Sequence, residues 1–348
     1  MKHRTGFAFM ASALAASMLV SACGGGSGGG SSGSSKQLVI GDILFDTDAY
    51  QIAQQKQMQQ YADSQGIKII FENQQGQGTK APDLMQALET RGVNGIIMQP
   101  ANATVAVPLV KQAQAKKIPV LGWAIPFGTG VTTPYIGLAE QAGTQAAGAV
   151  AAQYVLKNFP GQPVKVLIVT IDGVSICSDV RMGPFEQGVK SVAPDATFTT
   201  VNGAADRNKA VTVAQDALQL DKGYNIATGC NSDMAMGALQ AFKSAGLGGA
   251  NNKKPDHTYF YSINGTDEEL RALTDPTSPL MADLGLTPKE VAKTLIDTMV
   301  QMISGKISPY GNYTASVPDK ALGSDCALAN DFNKTEYLAT TNLPCVGS

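Results

Sequence analysis

Eight polar or aromatic side chains in this sequence stand at or just beyond the ends of short apolar runs. They are Asp46, Tyr50, Trp123, Asp179, Arg181, Asn231, Asn264 and Asp283. Carboxylates, amides and arginine hydrogen-bond hydroxyl groups, and an aromatic ring packs against the C–H face of a saturated ring. The pattern therefore predicts a site that holds a small polar molecule through hydrogen bonds and ring contacts.

Each of these side chains also has a structural alternative. Trp123 would suit a hydrophobic core, and Arg181 would suit a buried ion pair. The dipeptide Asn264-Gly265 is typical of a turn. Four neighbouring residues are of types that commonly cap helices, and they are Ser232, Asp233, Thr266 and Asp267. The shared position after apolar runs is what favours a binding role.

The apolar runs are predicted strands that alternate with helices from Gln37 onward. One series of strands and helices runs to Trp123, and a second series begins at Gln141. Continuous apolar strands separated by helices are typical of parallel sheets covered on both faces. We therefore predict an α/β fold with two doubly wound, Rossmann-like parallel-sheet lobes. Ligands of such sheets bind beyond the carboxyl ends of the strands, so we expect the site in the cleft between the lobes.

Residues 1–22 have the pattern of a secretory signal peptide. Lys2 and Arg4 precede an apolar run over Gly6–Val20, which is shorter than the ~20 residues of a membrane-spanning helix. The run leads into Val20-Ser21-Ala22-Cys23, which resembles a bacterial lipobox, and we expect Cys23 to carry a lipid. An ordinary signal peptide followed by an unmodified cysteine is the alternative.

Residues 23–36 are expected to link the lipid anchor to the folded body, because Gly24–Ser35 consists only of glycine and serine. No other segment approaches ~20 apolar residues, so the lipid would be the only attachment to a membrane. We predict an exported, membrane-anchored lipoprotein that faces the periplasm or the cell exterior.

The numbers of basic and acidic residues, 26 and 28, nearly balance. This argues against nucleic-acid binding, which normally requires a basic face.

Besides Cys23 the sequence has four cysteines, which an oxidising compartment would allow to pair. Cys326 and Cys345 share a short C-terminal tail, so we expect the disulfides Cys326–Cys345 and Cys177–Cys230. Metal binding is the alternative, although the sequence has no Cys-x-x-Cys motif and no histidine cluster.

Five segments occur in an order that resembles the type I periplasmic solute-binding proteins, specifically the ribose- and galactose-binding branch that serves ABC importers. The segments are Arg91–Pro100, Ile118–Val120, Arg181–Phe185, Asn231–Ala238 and Asn264–Thr266. The resemblance covers residues 37–317 and implies two lobes joined by three hinge crossings. These crossings are expected near Gly137–Glu140, Leu284–Leu286 and Thr314–Val317.

The same resemblance implies the domain boundaries. The N-terminal lobe is expected to consist of residues 37–138 and 286–315, and the C-terminal lobe of residues 139–285. Residues 316–348 form a C-terminal extension beyond the usual end of the family. We expect this extension to pack on one lobe.

Several family contacts fall on matching residues of this sequence. Asp46 and Tyr50 match the polar and aromatic contacts of the first loop, and Asn231 matches an amide contact. Arg181 matches a second arginine of its motif, and Asp283 lies near a further polar contact. The resemblance therefore implies that these five residues bind the ligand.

Three positions depart from the sugar-binding pattern of the family. Ala124, beside Trp123, stands where these proteins place an aspartate. Asp179 stands where they place an arginine, and Asn264 where they place another aspartate. The resemblance thus implies the binding fold but no particular sugar.

The implied function is that of a substrate-binding lipoprotein of an ABC importer. It would close on a small polar solute, with a sugar or polyol as the expected ligand, and deliver it to the permease subunits in the membrane. We expect a monomer without cofactor, metal ion, enzymatic activity or nucleic-acid partner. The alternative is a ligand sensor whose closed form is recognised by a membrane receptor.

Other function classes have less support. The sequence has no G-x-S-x-G motif, no P-loop and no dinucleotide fingerprint. A Ser-His-Asp triad would depend on His257, because it is the only histidine after the signal segment. The related repressors share the fold but need a DNA-binding headpiece, and here the signal segment and the linker take that place.

Overall fold

The computed structural model describes residues 37–343. The predicted signal peptide, the lipidation site Cys23, its linker and Cys345 lie outside the described residues. The helices within residues 37–343 are not long and apolar enough to cross a membrane.

Strands and helices alternate through the described residues, as the sequence predicts. The strands are β1 (Val39–Leu44), β2 (Lys68–Asn73), β3 (Gly95–Met98), β4 (Val120–Trp123), β5 (Tyr135–Leu138), β6 (Lys165–Thr170), β7 (Thr197–Asn202), β8 (Ile226–Gly229), β9 (Ala250–Asn251), β10 (Lys254–Pro255), β11 (Tyr259–Asn264), β12 (Leu280–Gly285), β13 (Thr314–Val317) and β14 (Lys320–Leu322). The α-helices are α1 (Ala49–Ser64), α2 (Ala81–Thr90), α3 (Ala103–Ala115), α4 (Glu140–Asn158), α5 (Gly183–Val192), α6 (Arg207–Leu220), α7 (Ser232–Ser244), α8 (Asp267–Thr274), α9 (Pro288–Ile303) and α10 (Cys326–Glu336). A π-helical turn, Ile176–Met182, leads into α5.

Two six-stranded sheets dominate the described part of the chain. The N-terminal sheet has the order β13-β5-β4-β3-β1-β2 and is parallel. The C-terminal sheet has the order β14-β12-β11-β8-β6-β7, and its edge strand β14 is antiparallel to β12. We call each sheet with its helices the N-terminal and the C-terminal lobe. The predicted α/β fold with two doubly wound lobes is confirmed.

The strand order determines where a ligand can bind. Five strands of the N-terminal sheet follow the order β2-β1-β3-β4-β5, and the C-terminal sheet repeats this order with β7-β6-β8-β11-β12. In such an order the chain leaves the first and third strands in opposite directions, which opens a crevice at their carboxyl ends. Strand β1 is buried on both faces through Ile40 and Ile43, so the crevice lies at the end of a well-packed core strand.

Helices α4 and α5 cross at unusually close range in the C-terminal lobe. A Cβ atom at Gly148 would lie 2.1 Å from the carbonyl oxygen of Phe185, and one at Gly188 would lie 1.9 Å from that of Gln145. Only glycine allows backbones to approach this closely. The crossing fixes the first turn of α4 relative to the π-helical turn before α5.

The chain passes between the lobes three times. The passages lie between β5 and α4, between β12 and α9, and between β13 and β14. The C-terminal segment therefore contributes to both sheets, with β13 in the N-terminal sheet and β14 in the C-terminal sheet.

Helix α10 contacts both lobes, and the expectation that the extension packs on one lobe is wrong. From α1, Gln57 Nε2 donates hydrogen bonds to the carbonyl oxygens of Thr335 and Glu336 at 3.0 and 2.8 Å. On the other lobe, Asn333 Nδ2 donates to Asp267 Oδ1 at 2.9 Å. The polar groups of α10 thus have partners on two sides of the hinge.

Phe332 anchors α10 against the ends of β11 and β12. Its ring is buried and lies where Cβ atoms on Gly265 and Gly285 would otherwise project. We predict that Phe332→Ala lowers the free energy of unfolding by about 3–5 kcal/mol, because it removes buried contacts and leaves a cavity. Urea unfolding followed by circular dichroism measures the change. Truncation of the exposed Tyr310 to Ala is the matched control, and an equally small loss in both variants would show that α10 is not anchored in this way.

Candidate functional site

A cleft lies between the carboxyl ends of the two sheets. Its cavity volume is about 50 Å³, below the ~300–1,000 Å³ typical of sites for small molecules. Both lobes line it, and so does Leu286 beside the second hinge crossing. This position agrees with the crevice that the strand order creates.

The N-terminal wall is polar and begins directly after β1. Asp48 caps α1, since its Oδ1 accepts a hydrogen bond from the backbone N–H of Gln51 at 2.8 Å. Asp46 Oδ1 accepts from the backbone N–H of Asp48 at 3.2 Å. The side chain of Gln51 donates through Nε2 to Gln99 Oε1 at 2.7 Å. All four residues line the cleft.

The two carboxyl groups of this wall are half-buried and close to each other. Burial raises the pKa of Asp46 to about 6, although the hydrogen bond from Asp48 opposes the shift. Burial also raises the pKa of Asp48 to about 8, and repulsion by the Asp46 carboxylate adds to it. Neither carboxylate has an ion-pair partner within residues 37–343. Burial and repulsion therefore disfavour the ionised form of both groups.

Two aromatic rings complete the N-terminal wall. The ring centroids of Tyr50 and Trp123 lie 6.4 Å apart at an angle of 34°. Trp123 packs in the hydrophobic core and also lines the cleft, so its position agrees both with a core role and with a place in the site. Ala124 follows it in the left-handed region with φ of 56°, and Ile125 lines the cleft in its place.

The C-terminal wall is largely apolar. Ile171, Val174 and Ile176 follow β6 and face the cleft. Cys177 and Cys230 form the predicted disulfide, with their Cα atoms 5.2 Å apart, and both line the cleft. The disulfide ties the π-helical turn to the end of β8. The second predicted disulfide, Cys326–Cys345, stays a prediction because Cys345 lies outside the described residues.

Two asparagines supply the amide groups of the C-terminal wall. Asn231 caps α7, because its Oδ1 accepts from the backbone N–H of Met234 at 3.1 Å. Asn264 ends β11 with φ of 131°, a conformation that costs a non-glycine residue free energy. Its carbonyl oxygen accepts from Tyr337 Oη at 2.5 Å and from the backbone N–H of Leu286 at 3.1 Å. The C-terminal segment and the hinge therefore hold Asn264 in position.

Arg181 lines the cleft but is tied into a buried ion pair. Its Nε and Nη2 donate to the two carboxylate oxygens of Glu140 at 2.6 and 2.8 Å, and its Nη1 donates to the carbonyl oxygen of Cys230 at 2.7 Å. Burial alone would lower the pKa of Arg181, but the Glu140 carboxylate outweighs it and raises the pKa. Arg181 therefore forms the buried ion pair that was its structural alternative, and the Glu140 carboxylate compensates its charge.

Four buried side-chain atoms of the cleft have no hydrogen-bond partner among the described residues. They are Tyr50 Oη, Gln51 Oε1, Trp123 Nε1 and Asn264 Oδ1. A buried polar atom without a partner costs about 1–3 kcal/mol. The set contains both donors and acceptors and comes from both lobes, so it matches a ligand rich in hydroxyl groups.

Two predicted site residues lie away from the cleft. Asp179 is exposed and accepts a hydrogen bond from Ser178 Oγ at 2.7 Å. It stands two residues before Arg181 on a helical turn, so it points to the opposite side. Asp283 is buried inside β12, where Ser262 Oγ donates to it, and Leu286 beyond the strand end lines the cleft instead.

Sequence reasoning missed Asp48, Gln51 and Gln99 as cleft residues. Gln99 directly follows β3, so the rule that strand ends build the site would have found it. Asp48 and Gln51 belong to the first turn of α1, and their role depends on how that helix faces the cleft. The sequence carries no separate signal for this orientation.

Two alternatives from the sequence, a metal site and a triad on His257, can be compared with the described residues. These residues contain no group of three or more His, Cys, Asp or Glu side chains that could hold a metal ion. His257 is half-buried, and its Nδ1 lies 2.8 Å from Thr258 Oγ1. It does not line the cleft, so a triad on His257 has no place in this site.

Comparison with known proteins agrees with the geometry. A family model described as a periplasmic binding protein domain matches residues 43–307. The chain is 24% identical to the ribose import binding protein RbsB of Escherichia coli (strain K12) over 249 residues, which are 71% of this chain and 78% of that protein. It is 26% identical to the xylitol-binding protein of Mycolicibacterium smegmatis over 246 residues, which are 69% of this chain and 67% of that protein.

The fold resembles a solved structure of the same class. The match is to the Caulobacter myo-inositol binding protein bound to myo-inositol, with a TM-score of 0.71 and 20% sequence identity. It covers 86% of this chain and 97% of that chain. At this identity the likeness shows the fold. The family match and the relatives above, which are binding proteins and not enzymes, agree with the prediction of a protein without enzymatic activity.

The ion pair allows a test of how much Arg181 contributes to the fold. We predict that Arg181→Met lowers the free energy of unfolding by about 3–5 kcal/mol, because Glu140 is left buried and unpaired. The double variant Arg181→Met with Glu140→Gln should lose less, since no charge then stays buried alone. Chemical unfolding measures both changes. Arg271→Met, which breaks an exposed pair with Asp267, should cost about 0–1 kcal/mol, and a double variant as unstable as the single one would contradict the pairing.

Proposed function

The chain belongs to the family of periplasmic binding protein domains, and from this premise we propose that it captures a small polar solute, a sugar or polyol, in the interlobe cleft. It acts as the extracytoplasmic binding lipoprotein of an ABC importer. Closure of the two lobes holds the solute, and the closed form delivers it to the permease. The solute leaves chemically unchanged.

The observation that carries this proposal is the set of unpaired polar atoms on both walls. Tyr50, Gln51 and Trp123 belong to the N-terminal lobe, and Asn264 belongs to the C-terminal lobe. A solute that pairs with all four gains its full set of hydrogen bonds only when the lobes are closed. Because the solute makes more hydrogen bonds with the closed state than with the open state, its binding stabilises the closed state.

The ligands named for the relatives support the class of solute. Ribose, xylitol and myo-inositol are small polyhydroxy compounds. Hydroxyl groups both donate and accept hydrogen bonds, as the four unpaired atoms require. The departures at Ala124 and Asn264 change the hydrogen-bonding groups, so the ligand need not be any of these three compounds.

The anchoring part of the proposal rests on sequence. Export through the signal peptide and a lipid on Cys23 would hold the protein at a membrane surface. The described residues contain no helix suited to span a membrane. A lipid-anchored receptor would keep the closed form close to its permease.

Isothermal titration calorimetry of the purified protein with pentoses, hexoses, inositols and linear polyols tests the function. We predict saturable binding of at least one compound with one site per chain. Solution scattering of the same sample should show a more compact protein when the ligand is bound. Absence of binding across the whole panel would contradict the proposal.

Asn231 allows a variant that separates binding from folding. Asn231→Ser keeps a good helix cap but removes the amide donor, so we predict a loss of affinity of more than ~1 kcal/mol with little change in unfolding. Asn231→Ala should lose the same affinity and also the cap of α7. Calorimetry and urea unfolding measure the two effects. Unchanged affinity in the Ser variant would remove Asn231 from the site.

A further inference from the structure

The cleft is lined by more acidic groups than unpaired basic groups. Asp46, Asp48 and Arg181 line it, and Arg181 makes a two-pronged ion pair with Glu140. The charge of Arg181 is therefore cancelled by a residue behind the wall. What remains at the cleft are the two carboxylates of Asp46 and Asp48.

No cation of the described residues forms an ion pair with these two carboxylates, although the more distant charge of Arg181 acts to lower the pKa of Asp48. Asp233, which adds to the repulsion on both, is itself paired with Arg207 at 3.2 Å. Asp46 and Asp48 each use one oxygen to accept a backbone hydrogen bond. Burial raises the pKa of both groups, repulsion by Asp233 adds to both shifts, and repulsion by Asp46 adds to that of Asp48, so the ionised forms of both groups are disfavoured at this wall.

The aromatic rings stand on the same wall as the carboxylates. Tyr50 follows Asp48 by two residues on α1, and Trp123 lies beside Tyr50. Cations bind favourably to aromatic faces, most strongly to tryptophan. The Tyr50 Oη and Trp123 Nε1 atoms are buried without partners, so this wall also offers unused hydrogen-bond donors.

The only positive charge on the opposite wall within residues 37–343 is that of Arg181, which is paired with Glu140. The rest of this wall consists of Ile171, Val174, Ile176 and the disulfide, with Asn231 and Asn264 as its other polar groups. An anionic solute would therefore face two carboxylates without a free cation to receive it. A neutral polyol would find hydrogen bonds but would bring no cation to the two carboxyl groups, so burial would still favour their protonated forms.

We propose that the solute is a cationic sugar or polyol, one that carries a protonated amine, and that its ammonium group lies at Asp46 and Asp48. This inference rests on the proposed function and narrows its substrate class. The hydroxyl groups of the solute then pair with the unpaired atoms of Gln51, Asn264 and the aromatic residues. The apolar wall covers the remaining C–H surface.

Matched pairs of ligands test the charge directly. The pairs are 2-amino-1,3-propanediol with glycerol, 1-amino-1-deoxy-D-glucitol with D-glucitol, and D-glucosamine with D-glucose. Calorimetry at pH 7 should give at least one pair in which the amine binds ~10-fold more tightly, because a charged hydrogen bond is stronger than a neutral one.

Asp48→Asn and Asp46→Asn assign the preference to the two carboxylates. Asparagine keeps the acceptor oxygen that caps α1 or receives the backbone N–H of Asp48, so the loop geometry is retained. Each variant should reduce the preference for the amine to within ~3-fold. Asp216→Asn, at an exposed position of α6, removes the same charge far from the cleft and should leave the preference unchanged.

The outcomes separate the two proposals. Equal or tighter binding of the neutral members overturns the cationic class and leaves the capture of a sugar or polyol intact. A preference for amines that survives in both Asp46→Asn and Asp48→Asn also overturns the inference. If neither these pairs nor the neutral panel bind, the proposed function fails and the inference fails with it.

Discussion

The buried ion pair between Arg181 and Glu140 is the interaction on which the geometry of the cleft depends. Glu140 is the first residue of α4, directly after the first passage between the lobes, and Arg181 belongs to the π-helical turn. A third hydrogen bond joins the guanidinium to the carbonyl oxygen of Cys230 at the end of β8. One side chain therefore links the hinge, the turn and a strand end of the C-terminal lobe. Buried ion pairs contribute little net stability compared with apolar packing, so its effect here is to fix position and to cancel charge.

The C-terminal segment adds a second constraint beside the hinge. Helix α10 is bonded to Gln57 on the N-terminal lobe and to Asp267 on the C-terminal lobe. Tyr337 at its end donates to the carbonyl oxygen of Asn264, a cleft residue. Any change in the angle between the lobes must alter one of these sets of contacts. The segment thus couples opening of the cleft to its own packing, although it lies beyond the residues matched by the family model.

Local sequence signals predicted part of the site correctly because strand ends are local features. Asn231 and Trp123 follow or end apolar runs, and the structure places both at the cleft. The buried glutamines of α1 were not predicted, because their hydrogen-bond partners become neighbours only on folding. Gln51 and Gln57 are buried because they hydrogen-bond Gln99 and the C-terminal segment, and these partners are distant in sequence.

The sequence by itself determined the two-lobed parallel fold, because apolar runs of strand length alternate with helices whatever their final packing. It also determined that polar residues follow the strands. Tertiary structure alone decided that Arg181 is neutralised by Glu140, that Asp179 faces solvent and that Asp283 stays inside its sheet. The physical reason is that side-chain direction and charge compensation depend on neighbours brought together only by folding. For the same reason it became visible only in the folded chain that the two carboxylates after β1 have no ion-pair partner among the described residues.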